Sequence, residues 1–125
     1  MSGGTFIRVV RGIGIALRSA HIGTMALFVG GQAFAVDDAS VRPWRALAVL
    51  TGAALFASEA ARSRHWFYQG RGVITLAHVG ALVLVFASPG LARPAIVVSL
   101  IIGSVGSHLP GSIRKWSFRH RQVVE

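Results

Sequence analysis

Residues 72–108 read GVITLAHVGALVLVFASPGLARPAIVVSLIIGSVGSH, and the pattern of apolar and turn-forming residues here predicts the fold. Two apolar runs, at about 72–88 and 92–109, are joined by a short segment rich in proline and glycine, which is typical of a turn. Each run approaches the roughly 17–25 residues that cross a hydrocarbon core of about 30 Å. Because lipid offers no water to the backbone, both runs are predicted to be helices. The stretch therefore predicts a hairpin of two transmembrane helices.

Two further apolar runs, at about 17–36 and 44–61, precede this hairpin. Together the four runs predict an all-α integral membrane protein, a four-helix bundle in which residues 1–125 form one transmembrane domain. In residues 5–16 the arginines share one helical face and apolar residues another, which predicts an interfacial helix leading into the first span. A basic tail, residues 112–125, follows the last span.

The composition supports a membrane protein. Apolar residues make up 53% of the chain and charged residues 14%, against roughly 25% charged in typical globular proteins. The mean hydropathy is +0.60. A chain of 125 residues is too short to bury this much apolar surface in its own core. The chain has no cysteine, which excludes disulfides, thiolate metal sites and cysteine nucleophiles.

The basic residues predict the orientation in the membrane. The net charge is +9. By the positive-inside rule the charge distribution places both termini in the cytoplasm, and we expect a bacterial cytoplasmic membrane. A nucleic-acid partner is not expected, because apolar runs separate the cations. The ten cations on the predicted cytoplasmic side are Arg8, Arg11, Arg18, Arg62, Arg64, Arg71, Arg114, Lys115, Arg119 and Arg121, against Arg42, Arg45 and Arg93 on the other side.

Aromatic and basic residues at the ends of the spans predict membrane anchors. Trp66, Tyr68 and Trp116 fall at the cytoplasmic edge, where aromatic belts form. Arg114 and Lys115 begin a basic and aromatic tail that is typical of binding to anionic lipid. Membrane lipids and other membrane protein subunits are thus the expected partners.

Four ionisable residues lie within or at the ends of the apolar runs, one for each run. They are His21, Glu59, His78 and His108. Ionisable groups in a membrane are costly and usually face the interior of a bundle or a cavity. With the spans placed as above, all four are expected in the cytoplasmic half and to approach one another. We therefore predict them as cofactor-binding residues.

This layer is compatible with three kinds of chemistry. Two imidazoles on facing helices could ligate the iron of haem b, with His78 and either His21 or His108 as the axial pair. A histidine or Glu59 could instead hydrogen-bond a quinone oxygen and carry its proton. A metal ion held by histidine and carboxylate is a weaker hypothesis, because no two of these histidines have i, i+4 spacing.

Plainer structural roles stand beside each hypothesis. His21 and His108 could be solvated residues at the membrane edge, and Glu59 could form an ion pair with Arg62. The many glycines could serve close helix packing, as small residues do in membranes. If the histidines are ligands, hydroxyl groups three residues away could orient their second ring nitrogens. These hydroxyls belong to Thr24 and Thr75.

Two stretches resemble known membrane proteins. RSAHIGTMALFVGGQAF, residues 18–34, resembles the first helix of CopD-type and related four-helix haem-b proteins of bacteria, through Arg18, His21 and the pair Gly30-Gly31. GSHLPGSIRKWSFRH, residues 106–120, resembles the end of a group of small bacterial membrane proteins. The first resemblance implies haem b. Copper transport is not implied, because the chain has only two methionines.

The sequence thus leads to two functional hypotheses. The first is a small subunit of an electron-transfer complex that binds haem b or quinone through His78, His21 and His108. The alternative is a non-catalytic accessory subunit that packs around a larger membrane complex and binds lipid. A stand-alone enzyme is less expected, because no phosphate-binding loop, carboxylate pair or nucleophile motif occurs.

Overall fold

The structure is a computed structural model that describes residues 3–62 and 64–123. It is mostly helical (84%), and one small antiparallel sheet lies near the C-terminus. Among the described residues the elements are, in chain order, α1 (Gly3–Ala33), α2 (Asp38–Arg62), a 3-10 turn (Trp66–Tyr68), α3 (Gly70–Ala87), a 3-10 turn (Pro89–Leu91), α4 (Ala92–His108), α5 (Gly111–Arg114), β1 (Trp116–Ser117) and β2 (Gln122–Val123).

Helices occupy all four apolar runs, as predicted. Two of them, α1 and α3, are long and apolar enough to cross a membrane. Helix α4 is apolar but has 17 residues, and α2 has 25 residues with a more polar first turn. The helical fold class and two candidate spans therefore follow directly from the structure.

Helix α1 is longer than the predicted first span. Its 31 residues run without interruption from Gly3 to Ala33, a length of about 46 Å at 1.5 Å per residue. Residues 5–16, predicted as a separate interfacial helix, continue directly into the span. Gly12 and Gly14 each cost only about 1 kcal/mol of helix propensity, which does not break a helix of this length.

Helix α2 begins six residues before the predicted span because Asp37 caps it. The backbone N–H of Ser40 donates to Asp37 Oδ1 at 2.9 Å. This hydrogen bonding from Ser40 holds the pKa of the Asp37 carboxyl below its ordinary value. Asp38 accepts hydrogen bonds from Arg42 at 3.2 Å and Arg45 at 3.1 Å, and these arginines lower its pKa as well. Carboxylates at this end also suit the helix dipole.

The chain forms two compact units, residues 1–58 and 59–125, and each is described by itself. In the first unit, α1 and the first part of α2 form an antiparallel hairpin with Met25 and Phe28 buried on α1, and Val41 and Ala48 on α2. Near the turn the hairpin is close: a Cβ placed on Gly31 would lie 2.6 Å from a Val41 methyl.

The second unit contains the hairpin predicted from residues 72–108. Helices α3 and α4 pack against each other along their length. Small residues predominate at this interface, with Ala81 buried on α3 and Ala95 and Ser99 buried on α4. A Cβ on Gly106 would lie 2.5 Å from Ile74 Cγ2. Small residues allow the close approach of backbones that membrane helices require.

The C-terminal segment is folded, although the sequence predicted only a basic tail. We call residues 65–69 and 110–123 the C-terminal cap. Strands β1 and β2 pair antiparallel, and an isolated bridge links Gln69 to Ser117. Both of these polar residues are fully buried, and Trp66 is 1% exposed. The cap therefore has a small core of its own.

Candidate functional site

His78 forms a hydrogen-bonded clamp with Ser99 across the α3–α4 hairpin. Its Nδ1 lies 2.8 Å from the Ser99 carbonyl oxygen and 2.9 Å from Ser99 Oγ. Because a carbonyl oxygen only accepts, Nδ1 carries the ring proton, which fixes the tautomer. In the neutral ring the Nε2 atom then keeps its lone pair. No residue among 3–62 and 64–123 hydrogen-bonds it.

Gly103 on α4 leaves room for the His78 ring. A Cβ on Gly103 would lie 3.2 Å from His78 Nδ1 and 3.4 Å from Cε1. Ser99 and Gly103 are one turn apart on α4, so together they form the surface on which the imidazole lies. Thr75, the predicted partner of His78, instead donates to the Arg71 carbonyl oxygen at 2.8 Å. That prediction is wrong because a helical threonine readily bonds its own helix.

His21 forms a second clamp, within the first unit. Its Nδ1 lies 3.0 Å from Thr51 Oγ1, and Thr51 Oγ1 donates its one hydrogen to the Leu47 carbonyl oxygen at 2.7 Å. The hydroxyl therefore accepts from His21, whose Nδ1 again carries the proton. A Cβ on Gly52 would lie 2.9 Å from His21 Cε1.

Thr24 is not the main partner of His21. Its hydroxyl donates to the Ala20 carbonyl oxygen at 2.9 Å, one turn back on its own helix. It lies 3.4 Å from Thr51 Oγ1. The orienting hydroxyl thus comes from α2, and the sequence prediction of Thr24 in this role is wrong.

The two hairpins have the same arrangement of a histidine, an oxygen acceptor and a glycine. In each, a histidine on the first helix donates from Nδ1 to an oxygen on the returning helix, and a glycine on that helix accommodates the ring. Each clamp also lies near the middle of its helices: Thr51 within Asp38–Arg62, and His78 within Gly70–Ala87. The expected position of both histidines in the cytoplasmic half of the membrane stays a prediction.

Glu59 is an ion-paired residue close to the end of α2. Its carboxylate lies 3.5 Å from Arg62 and 3.7 Å from Arg71. Arg71 also donates from Nε to Gln69 Oε1 at 2.7 Å. Glu59 is eight residues beyond Thr51 on α2, so it does not share a level with the clamp. The ion pair with Arg62 is the plainer structural role expected for Glu59 from the sequence.

His108 is the last residue of α4, and its side chain is exposed. It lies nine residues after Ser99, or about 13 Å along the helix. Two histidines could hold one iron only if their rings lay close to each other. The structure therefore does not bring His78 and His108 together, because His78 contacts α4 at Ser99.

The predicted membrane anchors divide into buried and exposed residues. Tyr68 is 42% and Trp116 40% exposed, whereas Trp66 is 1% exposed. Trp66 therefore packs inside the C-terminal cap, beside Phe67 at a ring-centroid distance of 5.1 Å, and does not face the membrane surface. Arg114 is exposed and Lys115 half-buried.

The positions of the possible metal ligands test how well the cofactor hypotheses fit the structure. Within residues 3–62 and 64–123, no three His, Asp or Glu side chains gather where they could hold a metal ion. The hydrogen bond from His78 Nδ1 to the Ser99 carbonyl oxygen is compatible with ligation of haem iron through Nε2, since ligating histidines commonly donate the other ring nitrogen to a backbone carbonyl. The same Nε2 suits a hydrogen bond from a quinol hydroxyl.

No protein-family model, curated protein or solved structure matches this chain. The resemblance to CopD-type proteins therefore stays a prediction from the residues that carry it.

Proposed function

We propose that this chain is a small multi-pass protein of the bacterial cytoplasmic membrane, and that it acts as an accessory subunit packed by lipid and by larger membrane proteins. In this proposal the four helices form a bundle with both termini in the cytoplasm. This was the alternative hypothesis from the sequence, and the use of the polar side chains now favours it.

One observation supports the proposal most strongly. The apolar side chains of the helices are mostly exposed, whereas the ionisable side chains within the helices contact other residues of the chain. Among the described residues, 32 large apolar side chains are exposed and eight apolar residues are buried. In each of the two candidate spans, 11% of the most apolar window is buried. Exposure of so much apolar surface to water is unfavourable, so we expect lipid or other apolar helices to cover it.

The polar groups within the apolar helices have structural partners. His21 and His78 hold their hairpins, and Glu59 is neutralised by two arginines. An enzyme or carrier site concentrates groups whose chemistry is not used up in packing. The arrangement of these three residues supports a packing role.

Single-cysteine labelling tests the membrane topology. Because the chain has no cysteine, Ser40→Cys and Ser112→Cys each introduce a unique thiol at an exposed position. In intact spheroplasts, a membrane-impermeant maleimide should label Ser40→Cys at once and Ser112→Cys only after permeabilisation. Equal labelling of both positions in intact spheroplasts would exclude the proposed topology.

Crosslinking tests the accessory role. Phe86 is 57% exposed on α3, and Ala81 is buried on the same helix. A photoactivatable thiol reagent on Phe86→Cys should give adducts with other membrane proteins in native membranes, and the same reagent on Ala81→Cys should not. Adducts with lipid alone at Phe86→Cys and at other exposed positions would refute a role as a subunit.

A second candidate function is favoured by His78 Nε2. As a subunit of an electron-transfer complex, the chain would hold haem b or a quinone at this nitrogen. Haem would bring one-electron redox chemistry, and the chain would bind it through His78 with a second ligand from elsewhere. His21, His108 and Glu59, predicted as further members of this site, stay predictions.

Absorption spectra distinguish the two candidates. The haem hypothesis expects a Soret band in the purified protein, shifted on dithionite reduction and lost in His78→Leu but not in His108→Leu. The accessory proposal expects His78→Leu to insert normally without spectral change. For quinone, the corresponding readout is co-purified quinone, extracted and quantified from wild type and His78→Leu.

A further inference from the structure

Two sequence motifs occur twice along the chain, in the same order. Ala-His-Ile-Gly at residues 20–23 in α1 returns as Ala-His-Val-Gly at 77–80 in α3. Arg-Pro at residues 42–43 in α2 returns at 93–94 in α4, and in both cases a glycine follows the proline by nine residues. A chain with five histidines and four prolines would seldom repeat both motifs in one order by chance.

The glycine that follows each Arg-Pro pair is the one beside which the histidine lies. A Cβ on Gly52 would lie 2.9 Å from His21 Cε1, and a Cβ on Gly103 would lie 3.2 Å from His78 Nδ1. In both hairpins the histidine donates from Nδ1 to the returning helix. The motifs that repeat in the sequence are therefore the parts that build the two clamps.

The returning helices also agree in burial, position by position. In residues 46–55 of α2 and 97–106 of α4, buried or half-buried residues occur at the same four places, the third, sixth, seventh and tenth. The third is Ala48 in α2 and Ser99 in α4, which are 3% and 0% exposed. Each hairpin therefore turns the same face of its returning helix towards the helix that carries the histidine.

The histidine-bearing helices agree in the same way. Residues 17–28 of α1 and 74–85 of α3 have buried or half-buried residues at the first, fifth, eighth, ninth and twelfth places. The one difference is that Thr75 is half-buried where Arg18 is exposed. The extra length of the first hairpin thus falls between its two helices, where an insertion leaves the packed faces unchanged.

A third motif, Arg-x-Trp, ends both hairpins in the C-terminal cap. It occurs at residues 64–66 after α2 and at 114–116 after α4. The segments that carry it meet in the cap, where the Phe118 N–H donates to the Tyr68 carbonyl oxygen at 2.8 Å. The cap is therefore built from the equivalent ends of both hairpins.

We propose that the chain is a tandem duplication of one two-helix unit, with residues 17–66 as the first repeat and residues 74–116 as the second. His21 and His78 then occupy one position of this unit, and the clamp to the returning helix belongs to the unit itself. This inference goes beyond the proposed function and does not rest on it, because it concerns how each hairpin is built.

The repeats differ in which residue supplies the hydroxyl group of the clamp. Thr51 supplies it in the first repeat and Ser99 in the second. In the alignment Thr51 corresponds to Ile102, and Ser99 corresponds to Ala48. Thr51 Oγ1 lies 3.2 Å from the Ala48 carbonyl oxygen, so position 48 borders the hydroxyl that bonds His21. If the repeats are equivalent, the hydroxyl should be exchangeable between these two positions.

The test exchanges the hydroxyl in the full-length chain and follows unfolding in mixed micelles with sodium dodecyl sulfate. Thr51→Ile should lower the folding equilibrium constant by about fivefold, the usual net contribution of one hydrogen bond. Adding Ala48→Ser, which copies the second repeat, should restore most of this loss. Val49→Ser in the same Thr51→Ile background is the matched control. It adds a hydroxyl where the side chain is 54% exposed and should restore nothing.

The reciprocal exchange tests the second repeat. Ser99→Ala should lower the folding equilibrium constant, and adding Ile102→Thr should restore it. The restoration by Ala48→Ser should also disappear in a His21→Ala background, because it depends on the imidazole.

Three results would each overturn the proposal. They are a failure of restoration in either repeat, a restoration by Val49→Ser equal to that by Ala48→Ser, and a restoration that persists without His21. None of these results bears on the cysteine topology test or the crosslinking test, so the proposed function stands or falls separately.

Discussion

Gly103→Ala probes the His78 clamp most sharply, because the added methyl group meets the imidazole ring. The new Cβ would lie 3.2 Å from Nδ1 and 3.4 Å from Cε1. The ring must therefore shift by a few tenths of an ångström, away from a hydrogen bond of 2.8 Å to Ser99. Overpacking of this kind costs about 1–3 kcal/mol. Replacing glycine by alanine in a helix returns about 1 kcal/mol.

In the wild-type background, Gly103→Ala should therefore lower the free energy of unfolding by about 1 kcal/mol, which is the overpacking cost less the gain in helix propensity. In a His78→Ala background the clash is absent, so Gly103→Ala should instead stabilise the protein by about 1 kcal/mol. The double-mutant cycle should then give a coupling energy of about 2 kcal/mol, within the range for residues in contact.

The assay is unfolding of the full chain in mixed micelles by titration with sodium dodecyl sulfate, followed by far-ultraviolet circular dichroism. Gly80→Ala is the matched control, because a Cβ on Gly80 meets nothing within 4 Å. It should stabilise both backgrounds equally. A coupling energy below about 0.5 kcal/mol between Gly103→Ala and His78→Ala would refute the clamp, since independent sites add to within that amount.

Three further predictions follow from local geometry. Gly106→Ala should destabilise the protein by about 1–3 kcal/mol, and Ile74→Ala should relieve the effect in the same unfolding assay, because the new Cβ would lie 2.5 Å from the Ile74 methyl. Ala35→Gly should raise the free energy of unfolding by about 0.5–1 kcal/mol, since Ala35 has φ of 53°. The hydrogen bond by which Asp37 caps the N-terminus of α2 should weaken as the pH falls below the ordinary Asp pKa of 3.8 and through the lower folded-state pKa of Asp37. This appears as a lower protection factor of the Ser40 amide, that is, faster exchange relative to its intrinsic rate at the same pH. Asp37→Asn should remove this change, and a wild-type protection factor that does not fall with pH would contradict the prediction.

The linkage sign for Asp37 follows from the direction of its shift. Hydrogen bonds from Ser40 favour the ionised carboxyl in the folded protein. The contribution is therefore fully present above the unfolded pKa and is lost as pH falls through the folded one. Because the group is exposed, the effect is local to the start of α2.

The sequence predicted the helices well because long apolar runs leave the backbone few alternatives in lipid. All four runs are helical, and α3 and α4 begin and end within about two residues of the predicted spans. The bounds of α1 and α2 were less accurate. The apolar pattern weakens in the first turns of both helices, near Arg8 in α1 and Asp38 in α2. The backbone is nevertheless helical through both regions.

The partners of the histidines could not be predicted from spacing along the chain. Thr51 and Ser99 lie 30 and 21 residues from their histidines, and pairing them requires the register between helices. Thr24 and Thr75 were chosen because they lie on the same helix, where threonine bonds its own backbone instead. A signal was present in the sequence, since Gly52 and Gly103 each lie within one turn of the partner hydroxyl.

The C-terminal cap was missed for a related reason. Short strands of two residues leave no alternation pattern to detect. The cap depends on buried Gln69 and Ser117, polar residues that composition alone assigns to a surface. Trp66 was predicted to be a membrane anchor because it is an aromatic residue at the end of a span, but its ring is buried in the core of the C-terminal cap.

Nitrogen-15 NMR of His78 in lipid bilayers tests whether this histidine clamps α3 to α4 through Ser99. Histidine labelled with nitrogen-15 and carbonyl carbon-13 at serine would report both the tautomer and the distance, with His78→Leu assigning the signal. For the neutral ring we expect a protonated Nδ1, an unprotonated Nε2 and a strong correlation of Nδ1 to the Ser99 carbonyl. A proton on Nε2, or an imidazole with no correlation to Ser99, would contradict it.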